Sequence, residues 1–122
     1  MAIDYSFSAL PKPRTRTQAK AARDRAEAKV IKAVRAACVE RDGHCRMAWH
    51  DVPGLCDGAL EWAHLGKWKR SKTRGLSPEQ RHHTRGSFMA CRRHHRQYDA
   101  GELIITYGPD GADGELVVRR KR

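Results

Sequence analysis

Three cysteines and one histidine, Cys45, Cys56, Cys91 and His94, have the residue types to hold a single tetrahedral zinc ion. A structural zinc takes thiolate sulfur and imidazole nitrogen, usually delivered as two close pairs. Cys91-Arg92-Arg93-His94 is one close pair, and Cys45 with Cys56 is the other, across a wider gap. The same residues have plainer uses. The cysteines could form disulfides, or Cys45 and Cys56 could be small buried apolar groups with His94 on the surface. The N-terminus shows no charged leader followed by an apolar stretch, which points to an unexported chain in a reducing compartment, where clustered Cys and His bind metal. Cys38 stands apart and is expected to be a spare thiol packed on a helix.

His95 follows His94 directly. Adjacent residues on a helix point about 100° apart, so the two histidines serve different centres. Asp99, four residues on, shares the face of His95. A third histidine, His64, falls in a short strand-like run, where alternation sets it opposite Glu61 and Ala63. The chain returns through His82 and His83 before reaching Cys91. An imidazole with an ordinary pKa near 6.5 can serve as a base or as a metal ligand.

The elements that must position these groups are legible in outline. Residues 17–42 are good helix formers, with Val30, Ile31, Val34, Ala37 and Cys38 on one face, Thr17 as N-cap and Gly43 past the C-terminus. Residues 59–65 read as a strand between Gly58 and Gly66, followed by a long basic loop. Ser77-Pro78-Glu79-Gln80 opens a single helical turn. Residues 87–100 read as a helix approached through a short extended step. Two β-rich runs, 103–107 and 115–119, flank a turn-rich GPDGADG segment and predict a hairpin. The expected organisation is a flexible basic arm over residues 1–16 and a single domain over 17–122. That domain comprises the helix over 17–42, a zinc-bearing core over 43–101 and a hairpin over 102–119.

With 122 residues and 39% apolar content, the core must be small, and small cores usually need a staple such as a metal. No apolar run approaches the length of a membrane span. The net charge of +11 favours polyanionic partners. Lys67, Lys69, Arg70, Lys72 and Arg74 crowd one stretch with no acid among them, and Arg92 and Arg93 lie between the ligands of the close pair. The basic residues of the long helix fit either DNA contact or, more commonly, a solvated face.

Taken together, RDGHC, EWAHL and MACRRHHRQYD resemble the HNH, or ββα-metal (His-Me finger), endonuclease family in its small zinc-stapled form, over about residues 41–101. The resemblance implies an α+β fold with a ββα-metal core, the long helix before it and the hairpin after it. It implies His64 as general base, Cys91 and His94 as the knuckle, and His95, with His83, as ligands to a catalytic divalent ion (Mg²⁺, Mn²⁺, Ni²⁺ or Zn²⁺) distinct from the structural Zn²⁺. Two positions depart from the family. Ala63 stands where an Asp or His ligand precedes the base, leaving Glu61 or Asp99 to replace it. Gly86 stands near the middle Asn, for which His83 is the substitute, with Ser87 behind it.

The implied activity is metal-dependent hydrolysis of DNA phosphodiesters with weak sequence specificity, by nicking or double-strand cutting. His64, with His83, carries the chemistry, and Lys67, Lys69, Arg70, Arg92 and Arg93 bind backbone phosphates. The implied setting is the cytoplasm of a bacterial or phage-infected cell, phage-like in association, with DNA as partner and no membrane. The alternatives are a zinc-stabilised nucleic-acid-binding module without catalysis, and an assembly factor for a larger DNA-processing machine.

Overall fold

The computed structural model describes residues 16–50 and 55–121, with Trp49 described in its backbone only. The expected basic arm, apart from Arg16, lies outside the described residues. Helix α1 (Arg16–Asp42) contains Thr17 within its first turn, so Thr17 does not cap it. Gly43, at φ 70°, ends the helix in the left-handed region that glycine enters without steric cost. Val30, Ile31 and Val34 are half-buried and Cys38 is buried, while Ala37 is exposed. The packed stripe is therefore narrower than the spacing predicts, and it continues N-terminally through Glu27.

Strand β1 (Leu60–His64) pairs antiparallel with β2 (Ser87–Cys91), setting His64 opposite Ser87 and Leu60 opposite Cys91. The expected helix from residue 87 divides here. The segment Ser-Phe-Met-Ala-Cys is a fully buried strand, and helix α3 (Arg92–Asp99) begins only after it. A short apolar run is ambiguous between strand and helix, and here pairing with β1 decides it. Strands β3 (Leu103–Tyr107) and β4 (Leu116–Arg120) form the expected hairpin as a second antiparallel sheet. The result is a mixed α+β fold of small antiparallel sheets, with the long helix first and the hairpin last.

The basic connection from β1 to β2 is more ordered than a plain loop. It holds 3₁₀ turns at Gly66–Trp68, Arg70–Lys72 and Thr84–Gly86. Between them sits a one-turn helix, α2 (Pro78–Arg81), closed by the Ser77/Gln80 capping box. Gly86 is there for want of space: a Cβ would stand 2.7 Å from the Trp68 indole and 2.8 Å from His83 Cε1. One core serves both sheets. Met47, Leu65, Phe88 and Ala90 meet Leu103, Ala112, Leu116 and Val118. Burying a side chain of the size of Leu65 or Phe88 stabilises by about 1.5–3 kcal/mol.

Polar contacts join α1 to this core. Asp42, its last residue, is buried and accepts from Arg41, Arg46 and the Met89 amide of β2. Arg46 also donates to the carbonyls of Ala112 and Gly114, and Arg41 to those of Thr84 and Ser87. The buried carboxylate thus ties the helix end to β2 directly and, through Arg46, to the connection between β3 and β4. Burial alone would raise its pKa, but Arg41, the Met89 amide and Arg46 outweigh that and hold it below the ordinary value. Among the described residues no helix is long and apolar enough to cross a membrane.

Candidate functional site

Cys45, Cys56, Cys91 and His94 converge. Their ligand atoms all lie within 4.8 Å of one another, as a Cys₃His cluster able to hold a metal ion. His94 Nδ1 stands 3.5, 3.6 and 3.2 Å from the sulfurs of Cys45, Cys56 and Cys91. A tetrahedral zinc, with bonds of about 2.3 Å to sulfur and about 2.1 Å to nitrogen, would set S and N about 3.6 Å apart. The three nitrogen–sulfur distances lie near that value, and the cluster is consistent with a structural zinc.

Local structure explains the convergence. Cys91 ends β2 and caps α3, its sulfur accepting from the His94 amide at 3.4 Å. Cys45 caps the 3₁₀ turn Arg46–Trp49. Residues 57 and 59, just after Cys56, are held by backbone bonds from Arg93 to Asp57 and from Arg92 to Ala59. Burial pushes the Cys45 thiol up. Burial, with Cys45 and Cys91 beside it, pushes Cys56 up to about 12. Cys91 is also desolvated, yet the His94 and Asp57 amides hold it below its ordinary value. A cation among the sulfurs would lower all three, because metal ligation deprotonates a thiol.

His95 turns away from this cluster, as adjacency requires. Its Nδ1 lies 3.0 Å from Glu61 Oε1 on β1, and its Nε2 lies 3.4 Å from Asp99 Oδ2 one turn on. Glu61 also accepts from Arg92 at 3.1 Å, and His95 first, then Arg92, hold its carboxyl below the ordinary range. The two acids suggested to replace a ligand at Ala63 therefore both border His95. Ala63 itself is buried in the core.

His64, at the end of β1, is drawn to different company. It packs edge-on to Trp62, and its Nε2 lies 3.1 Å from His82 Nδ1. His82 Nε2 lies 2.8 Å from Glu27 Oε1 of α1, and Arg81 joins the same carboxylate at 3.3 Å. Glu27 is held below its ordinary value, chiefly by its bond to His82. Burial first, then the charges of His82, His83, His95 and Arg81, push His64 down to about 4. His64 is accordingly neutral at pH 7. His95 is close enough to influence it, but the polar partners of the two histidines are separate sets.

His83 does a third job. Its Nδ1 accepts from the Gly86 amide at 3.0 Å, capping the 3₁₀ turn, and its ring meets Trp68 edge-on. Ser87, behind it, donates to the His83 carbonyl at 2.7 Å and lies beside the Cys38 sulfur. Of the basic residues expected on nucleic acid, Lys69 lies over the Tyr98 ring and pairs with Asp99, and Arg92 pairs with Glu61. Lys67 lies near the Trp68 ring, Arg93 is exposed, and Arg70 lines a recess beside α1.

Sequence reasoning passed over Glu27, and it named His82 without giving it a role. A signal existed: Glu27 sits four and seven residues before Ile31 and Val34, an acid on the packed face of the helix. No family model, no curated protein and no solved structure matches the chain.

Proposed function

We propose that the chain is a metal-dependent endonuclease of the HNH type, stapled by zinc at Cys45, Cys56, Cys91 and His94, that hydrolyses DNA phosphodiesters with weak sequence specificity. The observation that carries this reading is the chain of contacts behind His64: its Nε2 lies 3.1 Å from His82 Nδ1, and His82 Nε2 lies 2.8 Å from Glu27 Oε1. In the tautomer whose Nε2–H donates to the Glu27 carboxylate, His82 Nδ1 is the acceptor for His64 Nε2–H. The lone pair then rests on His64 Nδ1, ready to take a proton from an attacking water. Glu27 and His82 orient this base and set its tautomer, much as a carboxylate fixes a catalytic imidazole in other hydrolytic sites.

His95, with Glu61 and Asp99 bordering it, offers nitrogen and oxygen donors suited to a divalent ion such as Mn²⁺, Ni²⁺ or Zn²⁺, or a water-rich Mg²⁺. An ion held there would offset charge developing on the phosphate and the leaving oxygen. The zinc aims the site: by fixing His94 it turns the neighbouring His95 toward Glu61.

Purified protein is incubated with supercoiled plasmid and Mg²⁺, Mn²⁺ or Ni²⁺. Wild type is expected to produce nicked circles, and His64→Ala to be slower by about 10²–10⁴-fold, the usual worth of a general base. Equal traces from both proteins under every metal would end the enzyme reading.

A second reading, a zinc-stabilised nucleic-acid-binding module or assembly factor without catalysis, has one observation in its favour. Among the described residues, the Cys₃His cluster is the group of ligands that gathers tightly enough for an ion, while both His95 nitrogens already face carboxylates. Salt-sensitive DNA binding without nicking would select it.

A further inference from the structure

The basic residues of α1 are not equivalent. Arg16, Lys20 and Arg23 follow i, i+4, i+7 spacing, which places them on one face. The next residue on that face is Glu27, which holds His82. Arg25, Lys29 and Lys32 repeat the same spacing about two and a half turns from Arg16, hence on the opposite side. All six are exposed. The first three border a recess of about 680 Å³, whose other wall includes Arg70 and Arg81. A second recess of about 360 Å³ contains His64, Trp68 and His82. Asp24, Glu27, Arg70 and Arg81 belong to both, so the two recesses form one groove leading from the start of α1 to His64. The acids along it are engaged: Asp24 with Lys20 at 2.8 Å, and Glu27 with Arg81 and His82. Basic side chains outnumber them on the groove walls.

We infer that the groove between α1 and the Arg70–Arg81 segment is the track for a DNA backbone, with Arg16, Lys20 and Arg23 as phosphate contacts that lead the strand to His64. The inference rests on the nuclease reading for its destination and on the groove itself for its location. It separates two same-sign faces of one helix that the sequence treats alike. One is a binding wall and the other a solvated surface.

The test compares two triple variants of the full chain that remove equal charge: Arg16→Gln/Lys20→Gln/Arg23→Gln, and Arg25→Gln/Lys29→Gln/Lys32→Gln. Binding to fluorescein-labelled duplex DNA is followed by anisotropy across a salt series, with circular dichroism and bound zinc as checks on folding. Each lost phosphate contact lowers the slope of log affinity against log salt by about 0.9. The groove variant is therefore expected to lose about two to three units of slope, and the opposite-face variant less than one. Asp24→Asn, which removes an acid from the groove, is expected to bind several-fold more tightly, a gain that misfolding cannot mimic. If wild type binds DNA and the two triple variants lose affinity and slope equally, the groove is wrong and the nuclease reading survives. If wild type binds no DNA at any salt concentration, both fall.

Discussion

Two polar staples flank one short stretch of chain, at Asp42 and at Cys45, and they are built on opposite principles. Asp42 is complete by itself: a buried carboxylate with two guanidiniums and a backbone amide, each lone pair directed at a donor. The Cys₃His cluster is four electron donors gathered about a common centre, with the Cys56 proton retained in part by the sulfurs of Cys45 and Cys91. One is satisfied by protein; the other calls for a cation. In a chain with so small a core both can add stability, but only the second would make folding depend on metal supply.

The largest effect should come from breaking the metal staple. Structural zinc contributes about 10–16 kcal/mol in small zinc domains. Cys91→Ser, or exhaustive chelation of wild type, is expected to abolish the cooperative unfolding transition and the bound metal together. A metal-free Cys91→Ser protein that melts like wild type would remove the cluster from the account of the fold.

Breaking the protein staple should cost less and ignore chelators. Asp42→Ala strands Arg46 and the Met89 amide, at about 3–5 kcal/mol in denaturant unfolding. The sign in acid follows from its depressed folded pKa: Asp42 contributes fully above 3.8, the ordinary value, and that contribution is lost as pH falls through the lower folded one. If Asp42→Ala shows the same acid unfolding curve as wild type, the staple is not what acid breaks. Gly86→Ala sharpens the contrast with a purely steric insult beside Trp68 and His83, expected to cost about 1–3 kcal/mol and to leave metal content unchanged.

The smallest effect expected at neutral pH concerns His64. Its imidazole, followed by NMR, should titrate at about 4 instead of 6.5. Because the unfolded chain accepts the proton first, His64 adds a loss of stability as pH drops from 6.5 toward 4 and none at neutral pH. A midpoint near 6.5 would show that burial and the His82 contact do not hold in solution.

What the sequence discloses divides along the same line. Cysteine and histidine announce themselves by type, so Cys45, Cys56, Cys91 and His94 could be assembled without coordinates, even across the wide gap between Cys45 and Cys56. The helix, the β1 strand, the single helical turn opened at Ser77 and the terminal hairpin were legible from periodicity and turn chemistry. Asp42 was not, since an aspartate at the end of a charged helix looks like any solvated one, and its partner outside the neighbouring arginines is the backbone amide of Met89, 47 positions away. The pairing of Glu27 with His82 escaped for a related reason: it spans 55 positions and depends on how α1 lies across the loop. The strand at 87–91 was obscured because its five residues, buried throughout, carry no alternation.

The staple at Asp42 also makes α1 a lever. A helix of 27 residues is about 40 Å long at 1.5 Å per residue, and this one is pinned at its last residue and again at Glu27. The span from Glu27 to Arg16 overhangs the second fulcrum by about 16 Å. A tilt of one degree about Asp42 alone would carry Arg16 through about 0.7 Å, and the Glu27 contact is what resists it. The Glu27 carboxylate thus holds the overhanging part of α1 against Arg81 and bonds His82 at the same time, so a shift of the helix and a turn of that histidine are mechanically linked.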